Sequence, residues 1–112
     1  MGYSYFKVDK IEHIRGDAFE ASFEISSNYP IADKSIKCQV KQDLDSVDSV
    51  LEFSTTTGSI TKAGQIITLR KTARQMQVVA GIYEFDVQFS TNQDDVITLF
   101  GGAFIVKQDV TQ

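Results

Sequence analysis

Residues 80–106 read AGIYEFDVQFSTNQDDVITLFGGAFIV. Tyr83, Phe85, Val87 and Phe89 alternate with Glu84, Asp86 and Gln88, the period of two that gives a strand one buried and one wet face. A polar tip, TNQDD at 91–95, turns the chain back. Beyond it Ile97 and Leu99 stand at odd positions, whereas Phe104 and Val106 stand at even ones. A regular strand turns one of these pairs away from the core. A one-residue bulge at Gly101–Gly102 returns all four to the same face, and glycine tolerates the backbone conformations a bulge needs. Read instead as a phosphate-cradling loop, FGGAF lacks the helix that such a loop introduces. The segment is therefore a long β-hairpin with a kinked second strand.

The same period runs outward from this hairpin. Phe19, Ala21, Phe23 and Ile25 alternate with Glu20, Ser22 and Glu24. Ile36, Cys38 and Val40 alternate with Lys37, Gln39 and Lys41. Leu51 and Phe53 form a shorter piece, and Ile67 and Leu69 alternate with Thr68 and Arg70. With the N-terminal YSYFKV these make about seven short strands, the spacing of an all-β sandwich or barrel. The turn signals between them are RGD at 15–17, SSNYP at 26–30, TTTGS at 55–59 and KAG at 62–64. One stretch departs from the pattern. Residues 72–80, TARQMQVVA, carry helix formers and a capping box of Thr72 and Gln75, with Gly81 as a stop. This predicts one short helical turn that crosses between two sheets, its Met76 and Val79 plugging the end of the core. No repeat or linker divides the chain, so 1–112 reads as one domain.

A chain of 112 residues holds eight Phe and four Tyr, enough aromatic volume for one compact core. The net charge of −4 argues against nucleic-acid binding, which calls for a basic face. The basic stretch of Lys62, Arg70, Lys71 and Arg74 has no interleaved aromatic platform. No apolar run has the length of a membrane span. MGYSYFKVDK lacks the apolar region of a signal peptide, and Phe6 stands where a myristoylation signal has Ser or Thr. A single cysteine forms no internal disulfide and fits a reducing compartment. Synthesis and assembly in the cytoplasm is the expectation.

Residues capable of chemistry are sparse. His13 is the only histidine, and no nucleophile-elbow pattern accompanies it. Cys38 shares parity with Ile36 and Val40, the placement of a small buried hydrophobe. Asp43, Asp45 and Asp48 supply oxygen ligands at close spacing, but without the glycine and terminal glutamate of a calcium loop. They read as a solvated loop, with calcium as the functional alternative there. Asp94 and Asp95 read the same way. Arg15-Gly16-Asp17 is explained by a tight turn before a strand. No catalytic residue, cofactor or metal is expected, and the chain does not read as an enzyme. Tyr3, Tyr5 and Phe6 are more suggestive. They form either the first strand of the sandwich or an aromatic edge that pairs with a neighbouring subunit. Tyr29 is the one aromatic in the 26–34 loop and joins them as a candidate contact residue.

GIYEF at 81–85 resembles the G-x-Y-x-C signature of the immunoglobulin F strand. The resemblance makes Tyr83 the corner tyrosine, with its hydroxyl bonded back to the main chain, and puts Phe85 where the disulfide cysteine stands. A wider resemblance is to the small Ig-like domains of tailed-phage and prophage virion proteins, including the N-terminal domain of the baseplate upper protein family. It is carried by GDAFEASFEI at 16–25, SIKCQVK at 35–41 and GIYEFDVQFSTNQDDVITLFGGAFIVKQDVT at 81–111. In that family the domain is a docking or scaffolding unit, often preceding a fibre or receptor-binding region. This sequence ends just after the hairpin, so an auxiliary, connector or decoration protein is expected as well as a baseplate one.

The resemblance implies a structural virion component, assembled in the host bacterial cytoplasm and joined to capsid, neck or baseplate proteins. It is expected to form a homo-oligomer within the particle through strand edges and loops. The alternative is a ligand- or receptor-binding module, adhesin-like or carbohydrate-binding, using the tips at 26–34 and 91–95. Core residues are expected at Phe19, Phe23, Ile36, Val40, Leu69, Tyr83, Phe85, Val87, Leu99 and Phe104.

Overall fold

The computed structural model describes residues 6–43, 48–90 and 96–108, and residues 6–9 by their backbone alone. The expected positions Tyr3, Tyr5, Asp45, Asp94 and Asp95 lie outside the described residues. Eight strands follow in order: β1 (Phe6–Ile14), β2 (Phe19–Glu24), β3 (Ser35–Lys41), β4 (Ser49–Ser54), β5 (Ile60–Ala63), β6 (Ile66–Lys71), β7 (Gly81–Ser90) and β8 (Val96–Lys107). They form a five-stranded sheet in the order β1-β8-β7-β3-β4 and a three-stranded sheet in the order β2-β6-β5. β1 runs parallel to β8, and the other pairs are antiparallel. This is an Ig-like β-sandwich whose larger sheet has three central strands, β8-β7-β3, flanked by one edge strand on each side, β1 and β4.

The strand absent from the sequence reading is β5. Its four residues, ITKA, bury only Ile60. One apolar side chain between two turn signals shows no period, so the alternation that revealed the other strands is missing.

The two inner faces meet in one core. All ten residues expected there join it, nine of them buried. Phe23 is the partly buried one and packs on Phe100 with ring centroids 4.9 Å apart. An aromatic chain links the sheets: Phe19 lies 5.7 Å from Phe53 and 5.5 Å from Phe104, and Phe85 lies 6.3 Å from both Phe100 and Phe104. Offset and edge-on rings at such distances add to simple area burial.

The bulge of the closing hairpin sits upstream of the glycines. Val87 stands opposite Phe100 and Gln88 opposite Thr98, so Leu99 is the extra residue. Leu99 and Phe100 are both buried as a result. Gly101 and Gly102 are regular ladder residues opposite Asp86 and Phe85, and neither has positive φ. The parity change calls for a bulge somewhere between Leu99 and Phe104. Phe100 decides the place, because only a bulge before it turns its ring into the core. A second irregularity, between Lys7 and Lys10 of β1, lies across the ladder from these glycines.

The connection from β6 to β7 holds a single 3-10 turn, Arg74–Met76. Thr72 and Gln75 bond reciprocally around it: Thr72 N–H donates to Gln75 Oε1 at 2.9 Å, and Gln75 N–H donates to Thr72 Oγ1 at 3.3 Å. Met76 plugs the core as expected. Val79 does not, being 73% exposed. The turn ends at Gln77, and Gly81 opens β7 instead of stopping a helix. From there Tyr83 donates its hydroxyl to Val79 O, pinning the crossover to the start of β7.

Candidate docking face

The residues that carry chemistry in soluble enzymes are engaged structurally here. His13 donates through Nε2 to Asp17 O at 2.8 Å and packs edge-on against Phe19. Arg15 donates its Nε–H to Val78 O and its backbone N–H to Lys107 O, while Gly16 turns with φ +89° and bonds to Met76 O. The RGD tripeptide is thus fastened against the β6–β7 crossover. Cys38 lies on the inner face between Phe53 and Val87. Burial, then the negative charge of nearby Asp86, push its thiol far above the usual range. A buried protonated thiol is a poor nucleophile. Cys38 is therefore expected to resist a disulfide reagent such as DTNB in the native protein and to react within seconds in denaturant. Rapid native labelling would place it in an accessible, activated site.

The basic residues divide similarly. Lys62 Nζ is held by the carbonyl oxygens of Ile31, Ala32 and Lys34. Arg70 pairs with Glu20 at 3.1 Å, and Lys71 Nζ sits 5.2 Å from the centre of the Phe53 ring. Arg70 and Lys71, with Thr57, Ser59, Thr72 and Gln75, line an open cavity of about 630 Å³ beside the end of β2. Among the described residues no group of three or more His, Cys, Asp or Glu is placed to hold a metal ion. No helix among them is long and apolar enough to cross a membrane.

Of the aromatic contact residues expected from the sequence, Tyr29 is half-buried, one side of its ring packed on the core and edge-on to Phe89 at 6.3 Å. Its carbonyl accepts from Gln65 Nε2, so the 26–34 loop is tied to the β5–β6 hairpin. Phe6 enters the fold as the first residue of β1, with its backbone opposite Phe100 of β8.

The surface that stands out was not singled out by sequence. It is the outer face of the five-stranded sheet. The alternation that buries Ile36, Cys38 and Val40 turns Lys37, Gln39 and Lys41 outward along β3. The same alternation turns Ile82, Glu84, Asp86 and Gln88 outward along β7. The ladder sets Lys41 beside Glu84, Gln39 beside Asp86 and Lys37 beside Gln88. On the far side of β7, Gly101 stands beside Asp86 and Ala103 beside Glu84. These small residues leave the face low over β8. Gln39 Nε2 donates to Glu52 of β4 at 2.9 Å.

Asp86 is the anomaly on this face. It is half-buried, and its Oδ1 is fully covered with no hydrogen-bond partner among the described residues. Burial holds its carboxyl above the ordinary aspartate range, while the ammonium groups of Lys41 and Lys37 act in the opposite direction. At one end of the face, Val50, Val79 and Ile82 rim an open hollow, and Ile82 is 71% exposed. The sequence held the signal in one respect: an acidic row and a basic row at matching parity. Which rows are neighbours is a matter of topology.

No protein-family model matches the chain, and no curated protein matches it in sequence. Solved structures resemble it at low identity. A candidate glycoside hydrolase of Bacteroides vulgatus is 16% identical over 88% of this chain, with a TM-score of 0.49, and the chain spans only 16% of that protein's length. The extracellular domain of the voltage-gated sodium channel beta4 subunit, described as a parallel homodimer with a role in cell–cell adhesion, is 14% identical. The match covers 98% of this chain and 99% of the domain, with a TM-score of 0.42. Extracellular domains 3–5 of Drosophila OTK are 10% identical over 93% of this chain and 34% of theirs, with a TM-score of 0.38. At these distances the likenesses say nothing of activity.

Proposed function

We propose that this chain is a structural component of a phage or prophage particle, an auxiliary, connector, decoration or baseplate protein that works by protein–protein docking. The observation that carries the docking part is the outer face of the five-stranded sheet, where the basic Lys37 and Lys41 of β3 run beside the acidic Glu84 and Asp86 of β7, next to the low residues Gly101 and Ala103 of β8. The virion setting is supported by the resemblance of residues 16–25, 35–41 and 81–111 to Ig-like virion domains. Capsid, neck or baseplate proteins are then the partners, and assembly takes place in the host bacterial cytoplasm.

Mass spectrometry of purified particles from the source culture tests this reading. The chain is expected at a fixed ratio to the major capsid protein, and the copy number locates it: hundreds for a capsid surface, six or twelve for a neck or baseplate. Absence from intact particles would overturn the virion assignment. A second reading, a ligand-binding module, is favoured by the open cavity beside Arg70 and Lys71. Glycan-array binding that is lost in Lys71→Ala, in a chain absent from particles, would establish that alternative.

A further inference from the structure

We infer that the first partner of this docking face is a second copy of the chain, packed face to face about a two-fold axis parallel to β3 and β7 and lying between them. The inference rests on the docking reading above and names its surface and occupant. It follows from the arrangement of charge. β3 presents the basic row Lys37, Gln39 and Lys41, and β7 beside it presents the acidic row Glu84 and Asp86. A two-fold axis between the two rows lays each β3 residue over the residue that is its own ladder neighbour, now on the other copy.

Lys41 then meets Glu84 of the second copy, and symmetry repeats the contact. Gln39 meets Asp86 of the second copy. Its Nε2 carries two hydrogens and donates one to Glu52, leaving the other for the outward side of the half-buried Asp86 carboxylate.

Shape agrees with charge. Around this axis β8 lies over β4 of the second copy. Gly101 and Ala103 are the low part of the face, and they receive Glu52 and the outward, 40% exposed Val50. Sheets pack face to face at about 10 Å, a gap that lysine and glutamate side chains span. The axis overlaps four strands, β8-β7-β3-β4; spaced about 4.8 Å apart, with some 30 Å of length along β7, they give a footprint on the order of 600 Å². That is below the roughly 800 Å² per partner of a standard stable interface and fits a dimer of micromolar strength.

The test is a charge exchange between molecules, read by analytical ultracentrifugation of the full chain. The wild type is expected to sediment as a dimer at micromolar concentration. Lys41→Glu alone sets Glu against Glu84 at both symmetric contacts, and Glu84→Lys alone sets Lys against Lys41 at both. Each variant is expected to weaken dimerisation by about tenfold or more. An equimolar mixture of the two variants restores an opposite-charge pair at both contacts and is expected to recover wild-type association as a heterodimer. An effect confined to one chain's own fold is not rescued by mixing, so recovery in the mixture reports the intermolecular contact. A monomeric wild type, single variants that dimerise like wild type, or a mixture no better than its components would each overturn the inference. A chain found in particles yet monomeric in isolation sinks the homodimer and leaves the docking function standing. A dimer that the exchange controls, absent from particles, does the reverse.

Discussion

Phe85→Ala is expected to lower the stability of this protein by about 3–5 kcal/mol, the range for truncating a large buried aromatic. The ring is 2% exposed in the middle of the central strand β7. Its ladder neighbours are Val40 and Gly102, and Phe100 and Phe104 meet it edge-on. The cavity has no easy way to collapse, because the backbone on both sides is held in regular pairing. The position is also the one at which immunoglobulin domains carry a cysteine that joins the two sheets. Here an aromatic cluster does that joining, through contacts that run by Phe104 to Phe19 on β2. Domains of this size have a total stability of about 5–15 kcal/mol, so the loss is a large fraction of the whole. Urea denaturation followed by circular dichroism measures the effect. A loss below about 1 kcal/mol would remove Phe85 from the centre of the core.

The second large effect is expected far from the aromatic cluster, at the β5–β6 hairpin. Lys62 extends across to the 31–34 segment and donates to three carbonyls, those of Ile31, Ala32 and Lys34, at 2.8–3.0 Å. Gln65 works beside it. Its amide donates to the carbonyls of Ile25, Ser26 and Tyr29, and its Oε1 accepts from Ile31 N–H at 3.4 Å. Hydrogen bonds to a charged group contribute about 1.5–3 kcal/mol, so Lys62→Met is expected to cost that order. Gln65→Leu strands partly buried carbonyls and is expected to cost a similar amount. The two share the same loop, so their effects are coupled, and the double variant is expected to lose roughly 2–4 kcal/mol and not the full sum. The readout that isolates the mechanism is hydrogen exchange. The amides of Ile31 and Lys34 should lose protection in both variants while β7 retains its own. Unchanged exchange at these amides would mean that the loop is held by Ile31 in the core and not by the two side chains.

These predictions divide between what local pattern reveals and what it hides. Phe85 was legible because strand alternation is a local property. Side chains two apart share a face, and the apolar set must turn inward. The same rule found the faces of β2, β3, β6 and β7 and the need for a bulge in the last strand. It found Met76 through helix-forming composition and the Thr72–Gln75 box, but it misplaced Val79, because nothing in TARQMQVVA says where the turn ends. Tyr29 shows the same limit: nothing in SSNYP says that its ring packs on Phe89 or that Gln65 holds the loop down.

The candidate site was less legible than the core. The sequence by itself determined all the described strands but β5, their inward faces and the outward rows Lys37–Gln39–Lys41 and Glu84–Asp86–Gln88. Tertiary structure alone decided that these rows are adjacent, that Asp86 lies beside Gly101 with one oxygen covered, and that the extra residue of β8 is Leu99. It also decided that Ile31, which belongs to no strand, is buried. The physical reason is range. Which way a side chain points in a strand depends on its immediate neighbours. Which charges meet and which loop is clamped depend on residues 28 to 50 positions away, brought together by a sheet order that no local period encodes.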